Sequence, residues 1–185
     1  MRVQSRLGNA TGLAVAIACV GLGACGASGP KLPIATQVCR RDLQAVRHVL
    51  GAASLQIADR DPANIECLVS RGGLRVHAVA QASAQAWTEF DTLVVHQAQG
   101  FEGAASNSAS MPRDLAGLGY NAAWIASDSK LLATNGSQTQ GGSFVTVTVA
   151  GSAPNGTSKL RVAQAVATAT LALAPRGPNP GPPPS

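Results

Sequence analysis

The sequence predicts an α+β fold: an antiparallel sheet of about six short strands packed by two or three helices, in the order α-βββ-α-βββ-α. Three observations predict it. Short runs with period-2 alternation recur along the chain, bounded by Gly, Asn and Asp turns. Three longer stretches carry apolar residues at helical spacing. The 185 residues are 45% hydrophobic and 12% charged, which suits one packed domain and excludes a wholly disordered chain. Only Trp87, Phe90, Phe101, Tyr120, Trp124 and Phe144 are aromatic, so Ala, Val, Leu and Ile must fill the core.

Residues 36–50 read as the first helix, because Val38, Leu43, Val46, Val49 and Leu50 recur at near-helical spacing and Gly51 stops it. Arg40, Arg41 and Arg47 then point outward. Residues 55–58 and 65–70 read as strands, separated by a turn at Asp59-Arg60-Asp61-Pro62. Arg71-Gly72-Gly73 suggests a hairpin into residues 74–81, where Leu74, Val76, Ala78 and Ala80 alternate with Arg75, His77 and Val79. Ser83 can cap a second helix reaching Gln99, with Trp87, Phe90 and Val94 on one stripe.

Residues 100–115 read as a loop rich in Ser, Ala, Asn and Gly, followed by Gly117-Leu118-Gly119. Residues 120–126 and 131–134 form a predicted hairpin, and residues 135–142 a turn. In 144–149, Phe144, Thr146 and Thr148 alternate with Val145, Val147 and Val149, the cleanest strand signal in the chain. Ser158 can cap a last helix to Ala174, where Pro175 stops it. The expected packing puts the helices on one face of the sheet. Residues 175–185 are Pro- and Gly-rich and are expected to form a disordered tail.

The first 24 residues read as an export signal. Arg2 and Arg6 form a positive start with no acid, and an uncharged, mostly apolar run over residues 12–24 follows. Its thirteen residues span about 20 Å as a helix, short of the ~20 residues that cross a bilayer core. Such a run reads as a cleaved signal peptide. Its end, Leu22-Gly23-Ala24-Cys25, resembles the lipobox of bacterial lipoproteins, in which the Cys thiol receives a diacylglyceryl group and becomes the mature N-terminus. The other reading is an ordinary secretory signal cleaved after Ala24 or Ala27. The expected organisation is therefore a signal peptide (1–24), a lipidated tether (25–35), an α+β envelope domain (36–174) and the tail (175–185).

Cysteine usage agrees with export. Cys19 lies in the apolar run and Cys25 carries the lipid, which leaves Cys39 and Cys67. Two cysteines in a non-cytosolic domain read most simply as one disulfide, and two free buried thiols are the alternative. No CxxC or HxxxH spacing supplies metal ligands, so neither a metal nor a cofactor is expected.

In order along the chain, these landmarks resemble the DUF3558 (domain of unknown function) group of actinobacterial lipoproteins. The matching features are the lipobox Cys25, Cys39 opening a helix that ends in Leu50-Gly51, and Cys67 in a strand. Gly117-Leu118-Gly119 before Ala122-Ala123-Trp124, a Val-alternating strand and an Ala-rich last helix complete the match over most of residues 36–174. Family members often place a Trp soon after the second Cys, where this chain has Leu68-Val69. The resemblance implies an envelope lipoprotein with an internal disulfide and brings no catalytic residues.

Three motifs could carry chemistry and are read otherwise. Gly117-Leu118-Gly119-Tyr120-Asn121-Ala122 matches the loose dinucleotide fingerprint, but a polar loop precedes it, a strand follows, and residues 135–143 hold no carboxylate. Ser127-Asp128-Ser129-Lys130 matches SxxK, but it sits between two strands and no Lys-Thr-Gly partner occurs. His48, His77 and His96 lack a nucleophile or an orienting acid at a telling spacing. Asn135-Gly136-Ser137 and Asn155-Gly156-Thr157 read as Asn-Gly turns.

The formal charge is +5; without Arg2 and Arg6, twelve basic and nine acidic residues leave +3, dispersed along the chain. With so few aromatic residues, no nucleic-acid partner is expected. The expected function is a non-enzymatic binding or structural role at the extracytoplasmic face of the cell membrane. The partners are the membrane, through the N-terminal lipid anchor, and an envelope protein, lipid or cell-wall component. A small envelope hydrolase or cell-wall enzyme accessory, and a carrier of a small apolar ligand, are the alternatives.

Overall fold

A computed structural model describes residues 33–61, 63–99, 111–137, 141–154, 156–174 and 176. Along them run α1 (Ala35–Leu50), β1 (Ser54–Asp61), β2 (Asn64–Arg71), β3 (Leu74–Ser83), α2 (Ala86–Gln99), β4 (Arg113–Asp114), β5 (Asn121–Ile125), β6 (Lys130–Thr134), β7 (Gly142–Ala150) and α3 (Lys159–Leu173). All neighbouring strands are antiparallel, and the sheet order is β1-β2-β3-β7-β6-β5-β4. Two meanders, β1–β3 and β4–β7, are thus sewn together at their last strands. The sequence order α-βββ-α-βββ-α holds, with β4 as an additional edge strand.

Three local readings need correction. The first turn is tighter than expected: Asp61 pairs with Asn64, so Asp59 and Arg60 belong to β1. Asp59 Oδ1 accepts from the Arg60 and Asp61 amides, and Asp61 Oδ1 from that of Ala63, at the end of a strand whose register shifts between Ile57 and Asp59. These carboxylates satisfy donors that an irregular strand end leaves over. Next, Arg113–Asp114, read as loop, pairs with Ala123 and Trp124 as β4. Finally, Ser83, expected to cap the second helix, is the last residue of β3 and α2 begins only at Ala86; the Ser83 Oγ instead accepts from the Gln85 amide in the intervening turn and donates to Glu89. Ser158 does cap α3, accepting from the Arg161 amide at 3.2 Å.

The larger correction concerns the layers. β2 and β3 alternate buried and half-buried side chains, so one face of that meander is apolar. Ile65, Cys67, Val69, Leu74, Val76 and Ala78 join Val145, Val147 and Val149 beneath α1 and α3. In contrast, β5 and β6 are apolar on both faces. Ala122, Trp124, Leu131 and Ala133 face α1 and α3, while Ala123, Ile125 and Leu132 face the other way with Phe144 of β7. A strand apolar on both faces needs cover on both sides. Here α2 supplies it, with Ala86 and Phe90 on the second cluster and the Phe90 and Phe144 rings edge-on at 6.5 Å. The helices therefore occupy both faces, two on one and one on the other.

Cys39 of α1 and Cys67 of β2 are joined in a disulfide, their Cα atoms 5.3 Å apart. Both residues are buried in the larger core, so the bond ties α1 onto the sheet it covers.

Candidate functional site

Cys25, the residue expected to carry lipid, lies outside the described residues, as do 1–24, most of the tether and 177–185. The described residues offer four groups of functional side chains.

The first is a buried acid. Val38, Asp42 and Val46 recur every four residues on the stripe of α1 that meets α3 and the sheet, and all three are buried. Burial pushes the Asp42 carboxyl up to about 7, against a smaller opposing effect of the Thr170 hydroxyl. Thr170 Oγ1 of α3 lies 2.6 Å from Asp42 Oδ1 and 3.1 Å from the Val166 carbonyl. One hydroxyl proton cannot serve both acceptors. With Asp42 protonated, its O–H donates to Thr170, which donates to Val166, and the chain closes. Asp42 Oδ2 has no partner, which again favours the neutral acid. The four-residue spacing made this acid legible in the sequence, where it was missed.

The second group lies on the sheet face that α2 leaves open. Glu66 of β2 and His77 of β3 pair diagonally, Glu66 Oε1 with His77 Nε2. Thr148 of β7 stands opposite His77 in register. A carboxylate, an imidazole and a hydroxyl in a row resemble the parts of a nucleophilic site. The geometry does not assemble one: no hydrogen bond links Thr148 to His77 among the described residues, and His77 and Glu66 are 40% and 32% exposed, so water is not excluded. His48 and His96 are exposed on α1 and α2, apart from this pair.

The third group surrounds the glycine motif. Gly117 and Gly119 have φ +77° and +65°, and a Cβ on Gly119 would sit 2.6 Å from the Thr134 carbonyl. That carbonyl accepts from the Tyr120 amide, so the motif is a tight turn delivering the chain into β5. Buried Asn135 donates through Nδ2 to the Leu171 carbonyl, satisfying an acceptor in the last turn of α3. An open cleft of about 300 Å³ runs here between Gly117, Tyr120, Asn135, Leu171 and Arg176. Two further open clefts lie beside α2, at Gln81, Glu89 and Leu93 (about 390 Å³), and between α1 and α3, at Arg40, Arg41 and Leu173 (about 340 Å³). None of the three contains a histidine.

The SxxK tetrapeptide is the turn between β5 and β6, since Ile125 pairs with Lys130. Ser127 donates to Asp128, and Lys159 Nζ donates to Ser129 Oγ. The serine is on a hairpin and not at a helix start, so the arrangement that gives SxxK its chemistry is not formed. Among the described residues, no group of three His, Cys, Asp or Glu side chains could hold a metal. Nor is any helix there long and apolar enough to cross a membrane.

No protein-family model matches this chain, and neither the curated proteins nor the solved structures contain a match to it.

The fourth group is a set of charges brought together by packing. Arg40, Arg41, Arg47 and His48 are exposed on α1, and Arg161 on α3 with Arg176 just beyond it. In the linear sequence these cations are dispersed; the folded chain lays α1 beside α3 and so places them in one helical layer. Helical phase alone does not reveal which helices will be neighbours.

Proposed function

We propose that this chain is an envelope lipoprotein of the DUF3558 type, held at the extracytoplasmic face of the membrane through acylated Cys25, with a non-enzymatic binding role. The observation that carries the reading is Leu22-Gly23-Ala24-Cys25 closing a short apolar run behind Arg2 and Arg6. The Cys39–Cys67 disulfide supports it, because such bonds persist in oxidising compartments outside the cytosol. Each buried methylene contributes about 0.8 kcal/mol, so two or three acyl chains on Cys25 hold a domain of this size almost permanently.

Replacing Cys25 with Ser tests the anchor. The variant is expected to leave the detergent phase of a detergent partition, or to accumulate as a longer precursor. Unchanged partitioning together with unchanged size would overturn the reading. The binding role rests on surfaces instead of a reaction centre: the open half of the sheet around Glu66, His77 and Thr148, and the two outer helical layers.

A further inference from the structure

The sheet separates two helical layers of opposite charge. On one side, α1 and α3 carry Arg40, Arg41, Arg47, Lys159 and Arg161, with Arg176 following. Their one acid, Asp42, is fully buried. On the other side, α2 carries Glu89 and Asp91 and neither Lys nor Arg. The remaining described acids, Asp59, Asp61, Glu66, Asp114 and Asp128, lie on strands or on the β5–β6 turn, where they are interspersed with Arg60, Arg71, Arg75, Arg113 and Lys130. Every exposed charge of the α1/α3 layer is therefore positive. None of these cations is in an ion pair among the described residues, where the single pair is Glu66 with His77. Arg40 and Arg41 flank the open cleft at Leu173, and Ile34, just before α1, is 66% exposed.

We infer that the α1/α3 layer docks flat on an anionic phospholipid bilayer, with α2 facing away. Three features select a bilayer as the occupant. The layer is broad and unpaired and has one sign of charge, which complements a surface of anionic headgroups. The opposite helix is acidic, so the same surface would repel the inverted orientation. The chain enters α1 only ten residues after Cys25, a reach of at most about 35 Å. The third feature rests on the anchor proposed above; the first two do not. Each cation brought near an anionic leaflet tightens association about fivefold, and the attraction fades within about 10 Å at 0.1 M salt.

Site-resolved arginine modification tests the orientation. The full chain, purified from membranes, is mixed with vesicles of phosphatidylcholine containing about a third phosphatidylglycerol, or with pure phosphatidylcholine vesicles. It is then treated with phenylglyoxal and mapped by mass spectrometry. On anionic vesicles, Arg40, Arg41 and Arg161 are expected to react at least fivefold more slowly than Arg75, which alternates with buried Leu74 and Val76 and so points to the opposite face of the sheet. The difference should vanish on neutral vesicles and in 0.5 M salt. Equal protection of Arg75 and the three helix arginines, or protection of Arg75 instead, overturns the docking face. A difference that persists on neutral vesicles or in high salt also overturns it, since the attraction would then not be electrostatic.

Flotation with neutral vesicles reads the anchor separately, because the basic layer gains nothing there. A chain that fails to float with neutral vesicles, yet shows the arginine footprint on anionic ones, loses the anchor and keeps the face. The triple variant Arg40→Gln, Arg41→Gln, Arg161→Gln replaces exposed side chains only and should keep the parent melting curve. With Cys25→Ser added, it should bind anionic vesicles about a hundredfold more weakly than Cys25→Ser alone, and equal binding by the two overturns the inference.

Discussion

Replacing Asp42 with Asn should abolish most of the pH dependence of stability that the α1–α3 interface creates. Burial raises the Asp42 carboxyl from 3.8 to about 7, so the folded state holds this proton more tightly than the unfolded chain. Its stabilising contribution is complete below the unfolded value of 3.8, declines as pH rises towards the folded value of about 7, and is gone above it. Each pH unit in that window costs about 1.4 kcal/mol, so a window of roughly three units sets an upper bound of about 4 kcal/mol. Asn carries the neutral shape at all pH values: its Nδ2 donates to Thr170 as the protonated acid would, and the Thr170 hydroxyl still reaches Val166. Its second N–H has no partner in this site and costs about 1 kcal/mol. The assay is urea unfolding of both proteins at pH 5, 6, 7 and 8, reading the midpoint at constant slope. At pH 5 the buried acid has already lost about 1.6 kcal/mol against about 1 kcal/mol for the unpaired Asn N–H, so the two should lie within about 1 kcal/mol of each other. At pH 8 the variant should be more stable by about 3 kcal/mol, the roughly 4 kcal/mol lost by the ionised acid less the cost of about 1 kcal/mol for the Asn N–H. Stability curves that stay parallel from pH 5 to 8 would show that Asp42 does not titrate in this window, and the reasoning would fail.

Other perturbations probe the remaining joints of the fold. A Cys39→Ser, Cys67→Ser double variant should lose about 2–5 kcal/mol in urea unfolding, and non-reducing peptide mapping of the parent should recover the linked pair. Phe90→Ala should cost about 3–4 kcal/mol if α2 covers the second face, whereas Leu93→Ala, at a position 45% exposed, should stay within about 0.5 kcal/mol. Gly119→Ala should cost about 2 kcal/mol or more by thermal melting, because its φ of +65° and the 2.6 Å approach to the Thr134 carbonyl both reject a Cβ.

What the sequence disclosed follows from which interactions are local. Alternation along residues 74–81 and 144–149 reports one strand's two faces, so β3 and β7 were legible, as was the Ser158 cap of α3. The Gly72-Gly73 hairpin was legible because Arg71 and Leu74 must pair across a two-residue turn. The Asp59–Pro62 turn was misjudged because Asp and Pro mark turns by composition, whereas here the aspartates brace the end of a strand. β4 has two residues and takes its identity from Ala123 and Trp124, which lie about ten residues further on; no periodicity can express that.

The same distinction separates the candidate sites. Asp42 is legible in the sequence, since a carboxylate between Val38 and Val46 at four-residue spacing must enter the core if the helix packs at all. Likewise, Ala-Ala-Trp-Ile and Leu-Leu-Ala-Thr already say that β5 and β6 are apolar on both faces, and a helix on each side follows from that alone. The charge segregation is different in kind. Arg40 and Arg161 are more than a hundred residues apart, and each helix taken singly shows only a solvated polar face. The single-signed layer exists because the Cys39–Cys67 bond and the Asp42–Thr170 contact fix α1 over β2 and beside α3. With no acid left exposed on that layer, nothing within it neutralises the arginines. The buried neutral acid that sets the pH response of the fold and the uncompensated cations that would set its orientation on a membrane thus depend on one interface, where two helices meet on one face of the sheet.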